Sequence, residues 1–139
     1  MPRNLGYARL ILTFIAVFLS FVPTVADLQE SHVFHPLWTG HARFHTVWLI
    51  STTSLASLVA LWLLWKGPWA GTRESLHVAA SLLAALLAGF FVAAVFLPLY
   101  DGSLSDVRSA GALDANVVAF SVLAVALLAG LVLARRPST

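Results

Sequence analysis

The sequence has no cysteine, and only 10% of its 139 residues are charged. The absence of cysteine excludes disulfides and thiolate metal sites. The scarcity of charge excludes an ordinary soluble domain, in which about 25% of residues are charged, because too few polar groups remain to cover a water-facing surface. A chain of this length predicts one domain, and we expect lipid to cover its surface.

Long apolar runs take the place of charge, and 60% of the residues are hydrophobic. Four runs of about 20 residues, the length that crosses the hydrocarbon core as a helix, cover residues 8–26, 44–65, 76–97 and 113–134. Only helices and closed barrels satisfy every backbone polar group in lipid, and these runs lack the alternation of barrel strands. The sequence predicts an all-α, polytopic membrane protein with four transmembrane helices in one bundle.

The first run has a second interpretation. Arg3 and Arg9 precede an apolar stretch that ends with the small residue Ala26, a pattern also found in cleaved signal peptides. We expect the segment to be retained as the first transmembrane helix.

Positive charge predicts the orientation, because cytoplasmic loops carry an excess of lysine and arginine. With the amino terminus inside, only Arg43 and Arg108 of the eight basic residues lie outside. We therefore predict a multi-pass membrane protein with both termini in the cytoplasm. The basic residues sit at helix ends and form no patch, so we predict no nucleic-acid partner.

Small residues recur every four positions in the third and fourth runs. The third run contains two such series, Ala80, Ala84 and Ala88 and then Ser81, Ala85 and Gly89. The fourth run contains one, Ala126, Gly130 and Ala134. This spacing lets helix backbones approach closely in lipid. It favours packing within the bundle, and it leaves open a homodimer or a larger membrane complex formed through these faces.

The segment 27–45 differs from the rest, because it holds four of the five histidines and two of the six acidic residues. If the second helix begins near Gly40, then His41, His45, Trp48 and Thr52 share one face that starts at the outer interface. Polar side chains at such depths usually face the bundle interior.

Ionisable and polar residues from the other predicted helices meet at the same outer end. They are Asp27, Tyr100, Asp101, Asp114 and Asn116. We predict a pocket there, near the outer membrane face, with Trp38, Trp48, Thr52, Tyr100, Asp114 and Asn116 as ligand-binding residues. His77 begins the third helix at the opposite end, and we expect it to be an interfacial or packing residue.

Three interpretations of this cluster stay open. In the first, the residues only hydrogen-bond one another and cap the loop. In the second, a membrane oxidoreductase holds iron, copper or zinc through some of Asp27, Glu30, His32, His35, His41 and His45. In the third, no metal or other cofactor is used, and carboxylate and imidazole groups perform acid–base work on an apolar substrate, with Trp38 and Trp48 against a cationic ligand.

Two resemblances accompany these patterns. The string Phe21-Val22-Pro23-Thr24-Val25-Ala26-Asp27-Leu28-Gln29 resembles the end of helix one in the EXPERA group, which includes emopamil-binding protein, a sterol isomerase, and the sigma-2 receptor. The string His35-Pro36-Leu37-Trp38-Thr39-Gly40-His41-Ala42-Arg43-Phe44-His45 resembles uncharacterised small membrane proteins of bacteria and fungi, which brings no known activity.

The EXPERA resemblance implies a four-helix fold with cytosolic termini, and it implies that Asp27 is a pocket carboxylate for cationic amines or cationic intermediates. The family's pockets use glutamates on helices two and three, where this sequence has none, and His41 and His45 stand nearest to the helix-two position. We expect binding and isomerase- or cyclase-like acid–base conversion of a sterol-like or isoprenoid-like molecule or lipid, with Asp27, His41 and His45 as catalytic residues. The non-enzymatic alternative is a ligand-binding or accessory subunit of a membrane complex.

Overall fold

The computed structural model describes residues 2–104 and 114–135. In this part of the chain there are four α-helices: α1 (Arg3–Asp27), α2 (Gly40–Trp65), α3 (Arg73–Val95) and α4 (Ala115–Arg135). Each helix is long and apolar enough to cross a membrane, and the described residues contain no strand. The predicted four-helix membrane bundle is confirmed.

The helices begin and end near the predicted bounds, and local chemistry accounts for the differences. The Thr39 hydroxyl accepts a hydrogen bond from the Ala42 amide at 3.2 Å and so starts α2 at Gly40, four residues before the apolar run. Thr72 caps α3 in the same way through the Ser75 amide. At its other end α3 stops at Val95, because Pro98 lies ahead and a short 3₁₀ turn, Leu97–Leu99, follows. The helix α1 begins at Arg3, before its apolar run.

The four helices form a bundle in which each helix packs against the next one in the chain, and α4 packs against α1. The helix α1 packs against α2, α3 and α4, and α3 packs against α2 and α4 as well, whereas α2 and α4 do not contact each other in the described residues. We call the end of the bundle where α1 begins and α4 ends the terminal end. The opposite end, where the α1–α2 and α3–α4 connections lie, is the loop end.

The tightly packed core occupies the half of the bundle nearer the terminal end. Its buried side chains come from the first part of α1 and α3 and the last part of α2 and α4, among them Leu12, Ile15, Leu64, Leu76, Leu83 and Leu123. A Cβ atom at Gly130 would lie 3.5 Å from Ile11 Cγ2 and 3.7 Å from Leu12 Cδ2, which is van der Waals contact, so α4 packs against α1 at this position. The small-residue series around Gly130 therefore packs inside the bundle, as favoured from the sequence.

Candidate functional site

A cavity of about 620 Å³ lies between the four helices in the half nearer the loop end. Cavities of roughly 300–1,000 Å³ are the usual size for small-molecule sites. Its wall includes the already named Asp27 and Asn116 together with Phe18, Leu19, Val22, Pro23, Ala26, Leu49, Ile50, Thr53, Ala85, Leu86, Gly89, Phe90, Ala93, Ala119 and Phe120. Every helix contributes to this wall, but of the polar residues predicted to meet at the loop end only Asp27 and Asn116 line it.

The cavity exists because α3 presents small residues where a core would need large ones. Ala85, Gly89 and Ala93 follow one another at four-residue spacing along the wall. A Cβ atom added at Gly89 would meet nothing within 4 Å, in contrast to Gly130. Gly89 therefore borders open space, and no other helix of the described chain packs closely on it; a homodimer through this face stays a prediction.

Pro23 weakens the regular hydrogen bonding of α1 beside the cavity. Proline has no N–H to donate to the carbonyl of Leu19, one turn earlier in the helix. Side chains reinforce the same stretch, because the Thr24 and Ser54 hydroxyls both donate to the Ser20 carbonyl, at 2.7 and 3.1 Å. The Ser54 bond joins α2 to α1 beside the cavity wall, whereas the Thr24 bond lies within α1.

Asp27 is the only charged residue in the wall among the described residues, and Thr53 and Asn116 are the other polar ones. The backbone carbonyl of Asp27 accepts from the Val33 amide at 3.0 Å, but within the described chain no hydrogen bond reaches its carboxylate. The side-chain amide of Asn116 donates to the Leu104 carbonyl at 3.2 Å. Asp27 is thus the one carboxylate in the wall, and it borders a mostly apolar space.

Aromatic rings form another side of the cavity. Phe90 of α3 and Phe120 of α4 stack with ring centroids 4.0 Å apart and an angle of 15° between their planes. Phe18 of α1 also lines the wall. Ring faces are surfaces on which flat hydrocarbon rings and cationic groups bind well.

The α1–α2 connection folds back over the loop end and positions His32. The Arg43 guanidinium donates to the His35 carbonyl at 2.9 Å, and Val33 is buried. The Ser31 hydroxyl lies 2.9 Å from His32 Nδ1, and the Trp38 ring meets the imidazole edge-on at a centroid distance of 6.1 Å. His32 acts electrostatically on the Asp27 carboxylate.

His41 and His45 occupy a different surface. Their Nε2 atoms are 3.0 Å apart, and the His45 ring lies 5.9 Å from the Trp48 ring. The predicted common face with Thr52 is therefore real, but all four residues are exposed and none lines the cavity, whose α2 wall is Leu49, Ile50 and Thr53. We predicted that Asp27, His41 and His45 line one cavity, but of the three only Asp27 does.

Of the remaining predicted residues, only Asn116 lines the cavity. The Tyr100 hydroxyl donates to the Ala93 carbonyl at 2.8 Å. One Asp114 carboxylate oxygen accepts from the Asn116 and Val117 amides and caps α4. Trp38 packs on His32, and His77 is exposed on α3 at the terminal end, apart from the other histidines. These contacts are structural ones of the kind expected if the cluster stabilises its loops.

No three histidine or carboxylate side chains in residues 2–104 and 114–135 lie close enough together to hold a metal ion. His41 and His45 form a pair without a third ligand from this part of the chain. The metal site predicted from Asp27, Glu30 and the histidines therefore gains no geometric support.

Sequence reasoning missed most of the wall. Phe18, Thr53, Phe90 and Phe120 sit within apolar runs, where any phenylalanine or threonine is equally compatible with packing or with lipid contact. The only usable signal was the series of small residues at Ala85 and Gly89, which makes room for a ligand as readily as for a helix.

No family model, curated protein or solved structure matches this chain.

Proposed function

We propose that this protein binds an apolar small molecule that carries a cationic amine, or forms a cationic centre, inside the loop-end cavity. Asp27 would pair with the cation, and the aromatic and aliphatic wall would hold the hydrocarbon. One observation carries the proposal. The Asp27 carboxylate accepts no hydrogen bond from the described residues, and it is the one charged group in the wall of a 620 Å³ cavity.

The ligand class follows from the wall. An anion without a partner is costly in an apolar site, and an ammonium group offsets that cost. The stacked rings of Phe90 and Phe120 and the small residues of α3 suit a rigid or branched hydrocarbon. A sterol-like or isoprenoid-like molecule fits this description, and an EXPERA-like role for Asp27 would lead to the same ligand class.

Acid–base conversion of the ligand would need a second group that moves protons. His41 and His45 lie on another face, and His32 is the histidine that acts electrostatically on Asp27. We therefore place binding first, and if isomerase-like chemistry takes place, we assign it to Asp27 with His32.

The test uses purified protein in a mild detergent and two pairs of probes. Farnesylamine and farnesol share one chain, and a 3-amino sterol and its 3-hydroxy counterpart share one ring system; within each pair mainly the charge differs. We expect tighter binding of each amine in a calorimetric titration. Asp27→Asn should remove the amine preference, with a loss on the order of 2–5 kcal/mol for a desolvated charge pair.

Glu30→Gln is the matched control, because it removes an acidic group three residues away that is exposed and outside the cavity wall. It should leave both affinities within about twofold of the unmodified protein, as expected of a screened surface charge. Undiminished amine binding by Asp27→Asn would refute the proposal.

A further inference from the structure

A second polar arrangement lies at the terminal end, far from the cavity. The guanidinium carbon of Arg9 in α1 is 3.6 Å from the centroid of the Trp65 ring, and Trp65 is the last residue of α2. The indole N–H of Trp65 donates to the Thr13 hydroxyl at 2.9 Å, and that hydroxyl donates to the Arg9 carbonyl at 2.8 Å. These contacts fix both the ring and the arginine that lies over it.

The Arg9 side chain is left with unused donors. Its Nε atom is buried without a hydrogen-bond partner, and no hydrogen bond or ion pair joins the guanidinium to another described residue. A guanidinium has five N–H donors in a rigid fork that matches two oxygens of a phosphate or carboxylate. The described chain therefore provides a ring face for this cation but no anion.

The surroundings select a negatively charged partner. At the terminal end the described residues include Arg3, Arg9, Lys66, Arg73 and Arg135 but only one acid, Glu74. Exposed aromatic residues at the same end, Tyr7, Trp65 and Trp69, are typical of the membrane–water interface. Arg9 lies six residues into α1, about 9 Å along the axis, so its long side chain can reach the headgroup level. The anions at that level are lipid phosphates.

We infer that Arg9, held by Trp65 and Thr13, binds a phosphate group at the terminal end, and that an anionic phospholipid in the adjoining leaflet supplies it. The site is independent of the cavity and of the ligand proposed for Asp27. Arg9 supplies the hydrogen-bonding fork, and Trp65 positions that fork by covering one of its faces. In a zwitterionic headgroup the choline ammonium already compensates the phosphate charge, so the Arg9 guanidinium favours an anionic headgroup, whose phosphate has no cation of its own.

The experiment compares lipids on the purified protein in nanodiscs. Retention of phosphatidylglycerol and of phosphatidylcholine with matched chains is measured by native mass spectrometry after release into detergent. We expect the unmodified protein to prefer phosphatidylglycerol by about tenfold, as one charge-assisted pair allows. Arg9→Gln should remove this preference, and Arg9→Lys, which keeps the charge but not the fork, should keep part of it.

Arg3→Gln is the matched control, since it removes an equal charge from an exposed position on the same helix; it should change the preference less than twofold if the site is specific. Equal losses in Arg3→Gln and Arg9→Gln would show a diffuse charge effect and overturn the inference. Because the readout is a ratio of two lipids on one variant, general instability cancels from it. Equal retention of the two lipids together with binding of inorganic phosphate that Arg9→Gln abolishes would assign the site to a free anion and reject the lipid as its source.

Discussion

Phe90 of α3 and Phe120 of α4 stack with their ring centroids 4.0 Å apart, and both rings line the cavity. The stack joins the two helices beside the cavity. We expect a double-mutant cycle with Phe90→Ala and Phe120→Ala to give a coupling free energy of about 1 kcal/mol. Unfolding in mixed micelles, followed by tryptophan fluorescence, measures each free energy of unfolding.

Phe91→Ala provides the comparison, because Phe91 meets Phe90 edge-on at 5.4 Å but does not line the cavity. Paired with Phe120→Ala, it should show near-additive effects, within about 0.5 kcal/mol. Additive effects for the Phe90 and Phe120 pair as well would show that the stacking contributes nothing to stability.

Gly89 and Gly130 provide a second prediction, because their surroundings differ. Gly89→Leu projects into the cavity, where a Cβ atom meets nothing within 4 Å, whereas Gly130→Leu runs into Ile11 and Leu12. We expect Gly89→Leu to lower the affinity for the amine probes at least tenfold while the unfolding free energy changes by less than about 1 kcal/mol. Gly130→Leu should destabilise by about 1–3 kcal/mol through overpacking.

Gly40→Leu controls for added bulk, since Gly40 also has open space around it but lies outside the cavity wall. Probe affinity should be unchanged in this variant. Full affinity in Gly89→Leu would mean that the ligand binds somewhere other than this cavity.

The helices were predictable because the membrane requires length and hydrophobicity, and both can be counted in a sequence. The start of α2 at Gly40 was also within reach, since Thr39 is a strong capping residue. The helix face that carries His41 and His45 was predicted correctly from spacing alone. We wrongly predicted that this face points into the bundle. Spacing determines which residues share a helix face, but it does not determine whether that face meets another helix or the surroundings of the bundle.

The rule that polar side chains turn inward did not apply to His41 and His45. They lie in the first two turns of α2, where exposed imidazoles can reach the interface and need no partner in the interior. Asp27 could be selected from the sequence as the one acidic residue at the end of the first apolar run, and it lines the cavity. The cavity beside it depends on the open space at Gly89 and on the packing of the four helices, which only the folded chain defines.

The histidine pair therefore gives a third prediction. His41→Gln and His45→Gln should each leave amine binding within about twofold, because their side chains lie outside the cavity wall and a surface contact contributes little. The same titration serves as the measurement, with Asp27→Asn as the positive control. Mass spectrometry of the purified proteins measures their metal content. If the unmodified protein holds about one equivalent of iron, copper or zinc and both histidine variants lose it, the result would instead support the metal-dependent oxidoreductase.

Orientation in the membrane is the last prediction, and it follows from the excess of lysine and arginine at the terminal end. The chain has no cysteine, so a single introduced thiol is the only one that can react. Ser103→Cys places it at the loop end, and Ser138→Cys places it in the carboxyl-terminal segment, outside the described residues. With both termini in the cytoplasm, an impermeant maleimide should label Ser103→Cys in intact cells and Ser138→Cys only after the membrane is opened. The reverse pattern would place Asp27 and its cavity on the cytoplasmic side, and the phosphate site at Arg9 in the opposite leaflet.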